Sequence, residues 1–369
     1  MATLSLQSLT LSHFRSHRRV QLDLDPRPIA IFGANGAGKT NLIEAVSLLS
    51  PGRGMRRAGP DDLTRRPEAI GWKISALLKT PSDLHELETT AEAGQSRVTR
   101  IDGKSSPQIG LGKIARVLWL VPSMDRLWIE GAEGRRRFLD RATLSLTPSH
   151  AEAVLRYDKA MRERNRLLKD MVRDAHWYIA IEQHMAEAAA DITAGRLNAI
   201  AALQAGQDLG DDLFPKSDLA LANAGLEDAG TDTEGWRTIF SEGRQQDLAA
   251  ARTLSGPHRA DLDAVFAAKG VSAKDCSTGE QKALLISLIL ANARKVGEDF
   301  GAPPIILLDE VAAHLDADRR AALYDEICAL GAQAWMTGTE QGLFDTLGDR
   351  GQYIEVSETS GESKIERRD

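Results

Sequence analysis

The chain has 369 residues, 42% hydrophobic and 27% charged, with a net charge of −7 and only two cysteines, Cys276 and Cys328. This composition excludes a disordered tail, a collagen-like fibre and a disulfide-stapled mini-protein, and two cysteines build neither a metal cluster nor a disulfide framework. The N-terminus lacks the basic-then-apolar layout of a secretory leader, and the longest apolar stretch, 283–293, is too short to cross a bilayer. A soluble, cytoplasmic protein with no membrane partner is expected.

In chain order, residues 3–33 predict strands. Leu4, Leu6, Leu9 and Leu11 alternate approximately, Val20, Leu22 and Leu24 alternate strictly, and Ile29-Ala30-Ile31-Phe32 is a continuous apolar run. A helix is predicted over 38–49, with Leu42, Ile43, Ala45, Val46 and Leu49 on one face and Pro51-Gly52 as its stop. Short strands follow over 72–78, 87–91, 97–101 and 117–121, with Asp102-Gly103 as a tight turn. The texture becomes helical after Leu146. Thr147-Pro148 reads as a helix start, Val154, Tyr157, Met161, Leu168 and Val172 recur at helical spacing, and a second helix from near Trp177 suggests an antiparallel pair. Residues 206–250 read as a loop-laden connection and 261–268 as a strand. A helix after Gly279, a strand over 305–308, a helix over 318–330 and a strand over 334–336 follow. Beyond Val356 a mobile polar tail is expected.

This order fits one α/β domain split by a helical insertion better than two domains in tandem. The expected division is 1–122, 123–250 (the inserted lobe with its acidic connection) and 251–369.

Charge is distributed unevenly. Residues 207–250 carry ten acidic and three basic side chains, 131–170 ten basic and six acidic, and 51–66 five arginines against two aspartates. A net charge of −7 argues against nucleic-acid binding by bulk charge alone, but the basic segments permit a local phosphate-binding face.

The strongest motif is Gly33-Ala34-Asn35-Gly36-Ala37-Gly38-Lys39-Thr40, a complete G-x-x-x-x-G-K-[ST] loop between an apolar strand and an amphipathic helix. Glycines let successive backbone N–H groups converge on a phosphate, and the following helix points its positive end at the same anion. Lys39 is expected to reach the β- and γ-phosphates of ATP and Thr40 to bind Mg²⁺. Ile305-Ile306-Leu307-Leu308-Asp309-Glu310 reads as a buried parallel strand delivering acids at its carboxyl end. Asp309 is suited to the Mg²⁺ shell and Glu310 to activating water. Ser277-Thr278-Gly279-Glu280 has the spacing of a capping box at a helix start, which is also a phosphate-binding geometry.

These elements occur in the order used by ABC-type ATPase heads, and 277–282 resembles their signature motif. His13-Phe14-Arg15, with Asn41, Leu42, Glu44 and Ala45 after the P-loop, looks like the SMC and RecF branch. Arg135-Arg136-Arg137-Phe138-Leu139-Asp140, Arg164-Asn165, Gly256-Pro257-His258-Arg259 and Asp309-Glu310 through His314-Leu315-Asp316 resemble the RecF family of bacterial DNA replication and repair proteins. The resemblance spans residues 3 to about 340. It departs from that family at Pro122-Ser123-Met124-Asp125 and at Ala260, and no switch histidine follows 334–336. Only 239 positions separate Thr40 from Gly279, too few for the long coiled coil of an SMC protein.

The resemblance implies a mixed-sheet P-loop head with an inserted helical second lobe. It implies an ATP-induced homodimer, each ATP held between the P-loop of one chain (Gly33 to Asn41, with Asp309) and Ser277 and Gly279 of the other. It further implies weak, DNA-stimulated ATP hydrolysis, binding to duplex DNA at gap junctions, and cooperation with RecR and RecO in placing RecA during recombinational repair, replication restart and the SOS response. For the DNA contact, Arg53, Arg56 and Arg57 on the loop after the P-loop helix are favoured over Arg135–Arg137, which could instead pair with carboxylates inside the protein. Two other classes fit parts of the sequence: the ATPase subunit of a membrane transporter, and a nucleotide-dependent scaffold that does not bind DNA. A requirement for a transmembrane partner would mark the first, and absence of salt-dependent DNA association the second.

Overall fold

The structure is a computed structural model in which residues 3–66, 68–210, 213–222, 232–312 and 315–368 are described. Its elements, in chain order, are β1 (Ser5–Phe14), β2 (His17–Asp23), β3 (Ile29–Phe32), α1 (Lys39–Ser47), α2 (Pro60–Leu63), β4 (Trp72–Lys79), β5 (Leu84–Ala91), β6 (Val98–Ile101), β7 (Lys104–Ser106), α3 (Leu111–Ile114) and β8 (Val117–Leu120). Then come α4 (Ala132–Leu146), α5 (His150–Lys169), α6 (His176–Asp208), β9 (Ser217–Ala222), α7 (Thr233–Glu242), α8 (Arg244–Ala250), β10 (Asp261–Phe266) and β11 (Val271–Ser272). The chain finishes with α9 (Thr278–Phe300), β12 (Ile305–Leu308), α10 (Ala317–Leu330), β13 (Ala334–Gly338), β14 (Gln352–Thr359) and β15 (Glu362–Arg368). They form two compact units: Met1–Asp125 with Gly206–Pro215 and Ser277–Asp369, and Arg126–Ala205 with Lys216–Cys276.

The first unit contains two six-stranded sheets, ordered β2-β1-β4-β5-β6-β7 and β15-β14-β3-β13-β12-β8. The first is antiparallel, and its strands β1 and β4 alternate buried and exposed positions as a sheet with one covered face should. The second is mixed: β8, β12, β13, β3 and β14 run parallel, and β15 closes the edge antiparallel to β14. All four residues of β3 and of β12 are buried, which explains why both read as unbroken apolar runs. Both sheets share one apolar core that includes Leu9, Phe14, Ile31, Leu42, Val46, Trp72, Leu307 and Trp335. This is the mixed-sheet α/β head that the motifs imply.

The second unit is helical with a small sheet, β11-β10-β9. The family-like motifs found here are wired to one another. Arg164 is fully buried, bonding Glu182, Asp247, Thr253 and the Phe240 carbonyl, while Asn165 accepts from the Thr253 amide and hydroxyl. Arg196 joins Asp140 (2.8 Å) to the Pro257 carbonyl (2.6 Å), and Tyr157 donates to His258 Nδ1 at 2.7 Å. Removing one partner of such a buried pair strands the other's charge.

Four expectations change. The compact units do not divide at 250/251: residues 251–276 group with the helical unit, because β10 and β11 pair with β9. The connection over 206–250 is not mainly loop, since it holds β9, α7 and α8; its residues 211–212 and 223–231 lie outside the described residues. Thr147 ends α4, its amide bonded to the Thr143 carbonyl at 2.7 Å, and Ser149 precedes α5 instead. Finally, the polar tail beyond Val356 is the ordered hairpin β14–β15, with β14 beside β3.

Candidate nucleotide site

β3 delivers the chain to Gly33 (φ 145°), where a Cβ would sit 2.0 Å from the Val356 carbonyl oxygen in β14. Only glycine lets the loop leave the sheet this close to its neighbour. Ala34, Asn35 and Gly36 form an exposed rim, and Gly38 caps α1 in the left-handed region. Lys39, buried at 4% exposure, donates from Nζ to the carbonyls of Gly33 (2.7 Å) and Ala34 (2.9 Å). Burial lowers its pKa, opposed by the negative charges of Glu310 and Asp309.

Asp309 follows β12 and meets the P-loop directly: the Thr40 hydroxyl donates to its Oδ1 at 3.0 Å. The same oxygen accepts the Thr337 hydroxyl at 2.7 Å, and Thr337 Oγ1 accepts the Glu310 amide at 2.9 Å. Leu308 pairs with Met336 in register, so the next residue of β13, Thr337, is level with the start of the acidic pair. Glu310 itself is left-handed (φ 55°) and half-buried. Burial raises the pKa of Asp309, the Thr337 and Thr40 bonds lower it, and Glu310's charge raises it again. A hydroxyl and a carboxylate oxygen side by side are hard oxygen donors, and a buried carboxylate with a raised pKa is stabilised by a cation. The residues present therefore fit Mg²⁺ carried on a phosphate.

Around this centre, Glu44 is buried and paired with Arg15 at 2.7 and 2.9 Å. Asn41 accepts from Arg56 (3.2 Å) and donates to Ser16 (2.7 Å). A cleft of about 480 Å³ opens beside Asn41, with Arg15, Arg65 and Arg66 in its wall. His17 lies beneath the loop, fully buried, with Nε2 bonded to the Gly38 carbonyl at 3.1 Å.

Ser277 and Gly279 sit at the exposed N-terminus of α9, where the capping box is formed: Ser277 Oγ accepts the Glu280 amide, and Glu280 accepts the Ser277 amide at 2.9 Å. The next turn holds Lys282, whose ammonium pairs at 3.2 Å with Asp125 in the segment that departs from the family pattern. Arg53, Arg56 and Arg57 are exposed, but Arg56 is also tied to Asn41 and, at 3.5 Å, to Glu44. Arg135 pairs with Asp261 at 2.7 Å, Arg136 donates to the Ala260 carbonyl and Arg137 pairs with Glu133, so this triplet is engaged within its own unit. Ala313 and His314 lie outside the described residues.

The structure thus joins Lys39, Thr40, Asp309 and Glu310 in one site. Sequence reasoning missed Thr337, Ser16 and Ser363, none of which belongs to a recognisable motif. No helix among the described residues is long and apolar enough to cross a membrane.

Comparison with known proteins points the same way. An AAA domain profile matches residues 8–103. The chain is 45% identical over 362 residues to the DNA replication and repair protein RecF of Rhizobium meliloti (strain 1021), covering 95% of this chain and 97% of that protein. Its fold matches that of the recombination mediator protein RecF of the RecFOR pathway, solved with ATPrS, with a TM-score of 0.84 at 21% identity over 98% of both chains. It also resembles an Smc head bound to the C-winged helix domain of ScpA (TM-score 0.59, 15% identity, 98% of this chain and 97% of that one).

Proposed function

Since the chain belongs to the RecF family of DNA replication and repair proteins, we propose that it is an ATP-switched DNA clamp of recombinational repair and replication restart. In this reading it works in the cytoplasm, grips duplex DNA near single-strand gaps as an ATP-induced dimer, and helps RecR and RecO place RecA. Slow, DNA-stimulated ATP hydrolysis resets it.

The observation that carries the reading is the contact of Thr40 with Asp309, 3.0 Å apart although 269 positions separate them in sequence. It brings the phosphate loop and the acidic strand end into one centre. Lys39 and the N-terminus of α1 would bind the β- and γ-phosphates, and Thr40 and Asp309 would hold Mg²⁺. The metal supplies neutralisation of phosphate charge. Glu310, half-buried next to Asp309, accepts the proton of the attacking water. Ser277 and Gly279 present the helix end of α9 to solvent, available to the γ-phosphate on a second chain. The exposed arginines 53, 56 and 57 supply DNA phosphate contacts.

The test is the mass of Glu310→Gln in solution with Mg-ATP, with ADP and without nucleotide. The variant keeps the local shape and lacks a base, so turnover falls by roughly a hundredfold or more while ATP still binds. Doubled mass only with ATP supports the clamp. A persistently monomeric variant at saturating ATP overturns it, and normal turnover shows that another carboxylate is the base.

A further inference from the structure

Besides the Val356 backbone beside Gly33, the hairpin β14–β15 meets the phosphate loop through a buried side chain, Ser363, which is 4% exposed. Its Oγ lies 2.6 Å from the Ala37 carbonyl oxygen and 2.7 Å from Ser16 Oγ. A hydroxyl has one proton and a carbonyl can only accept, so Ser363 donates to Ala37 and Ser16 donates to Ser363. Ser16 in turn accepts from Asn41 Nδ2 at 2.7 Å. The bonds therefore run in one direction, from Asn41 through Ser16 and Ser363 to Ala37. Both ends of this chain are in the P-loop segment; its middle belongs to the β1–β2 turn and to β15.

Further bonds hold the middle in place. The Ser363 amide donates to the Ser16 carbonyl (3.1 Å), and Arg65 Nη1 donates to the carbonyls of both Ser16 (3.0 Å) and Gly361 (2.9 Å). The approach is close enough to dictate a residue of the loop: a Cβ on Gly38 would lie 2.3 Å from Ser363 Oγ and 2.7 Å from Ser16 Oγ. Each donor in such a one-way chain polarises the next, and the loop carbonyl it ends on is buried with it.

We propose that Ser363, acting with Ser16, is a positioning residue for the nucleotide: the hairpin braces the phosphate loop in its binding shape and so sets the affinity for the triphosphate. This rests on the reading of that loop as the ATP site. The brace touches the loop's rear and not the acidic pair, so it acts on binding and leaves the chemical step alone.

The experiment is calorimetric titration of the full chain with Mg-ATP, together with turnover at saturating ATP. Ser363→Ala raises Kd about tenfold, the share of one buried hydrogen bond, with the saturated rate within twofold of wild type. Ser357→Ala, exposed on the same hairpin, leaves Kd unchanged. Ser16→Ala breaks the same chain at its middle, giving a similar loss. The double variant loses no more than about either single one, because the two hydroxyls act as a unit. Wild-type affinity in both single variants, or strictly additive losses, overturns the brace. Wild type that binds no ATP, or Lys39→Ala that binds it normally, overturns the site reading instead.

Discussion

The hydroxyl of Thr337 is 2.7 Å from Asp309 Oδ1 and accepts the Glu310 amide at 2.9 Å, so one side chain fixes both members of the acidic pair. Donating to one and accepting from the other, it sets their relative orientation and holds Glu310 at its positive φ.

Removing that hydroxyl tests its part in the chemistry. Thr337→Val keeps the volume and leaves a buried carboxylate and an amide each short of a partner, a stability cost of about 1–3 kcal/mol. Turnover at saturating ATP should fall about tenfold with little change in ATP affinity, and Thr337→Ser should restore most of it. Loss of affinity with an unchanged rate would assign Thr337 to binding.

Acid should destabilise the protein through two imidazoles. Burial pushes the pKa of His17 and of His258 down to about 4, below the 6.5 of an exposed histidine. A depressed pKa means that the unfolded chain binds the proton more tightly. The contribution is complete above pH 6.5 and is lost as pH falls towards 4. For His17 it is of order 3 kcal/mol. Urea midpoints measured from pH 7 to pH 4 should fall steeply, and less steeply in His17→Gln, which keeps a donor for Gly38. Parallel slopes in the two proteins would remove His17 from the account.

DNA affinity should depend on salt through the loop after α1. Every arginine withdrawn from a DNA phosphate flattens the plot of log affinity against log salt by about 0.9. Arg53→Ala/Arg57→Ala should therefore reduce the slope by about 1.8, equally on unrelated duplex sequences. Arg56→Ala should also disturb nucleotide binding, because Arg56 is bonded to Asn41. An unchanged slope in the double variant, with ATP binding intact, would take this loop out of the DNA path.

What was legible in the sequence was local. Gly33 to Thr40 declares its conformation by composition, the β12 run declares its burial, and Ser277 with Glu280 declares a helix start three residues wide. Thr337 was invisible because its role arises from parallel register with β12, which no spacing along the chain encodes. The hairpin escaped for a different reason. β14 is buried only at Gln352, Ile354 and Val356 and then becomes exposed, and β15 is polar throughout most of its length. An edge strand of this kind resembles a solvated tail until its partner is known. The acidic connection likewise hid β9, whose buried Ser217 and Leu219 are too few to show a period.

The order of strands in the mixed sheet constrains the birth of the protein. β3 is synthesised early, but its neighbours β13 and β14 lie about 300 residues later, and β12 and β15 are late as well. On the ribosome the phosphate loop therefore waits for most of its own mixed sheet, while every segment of the unit formed by Arg126–Ala205 and Lys216–Cys276 is made before β12 and β13 emerge. A nascent chain that stops short of β14 lacks the Val356 backbone against which Gly33 packs and the Ser363 hydroxyl bonded to the Ala37 carbonyl. A chain cut short before residue 352 leaves the β14 side of β3 without its partner, an apolar sheet edge open to proteases.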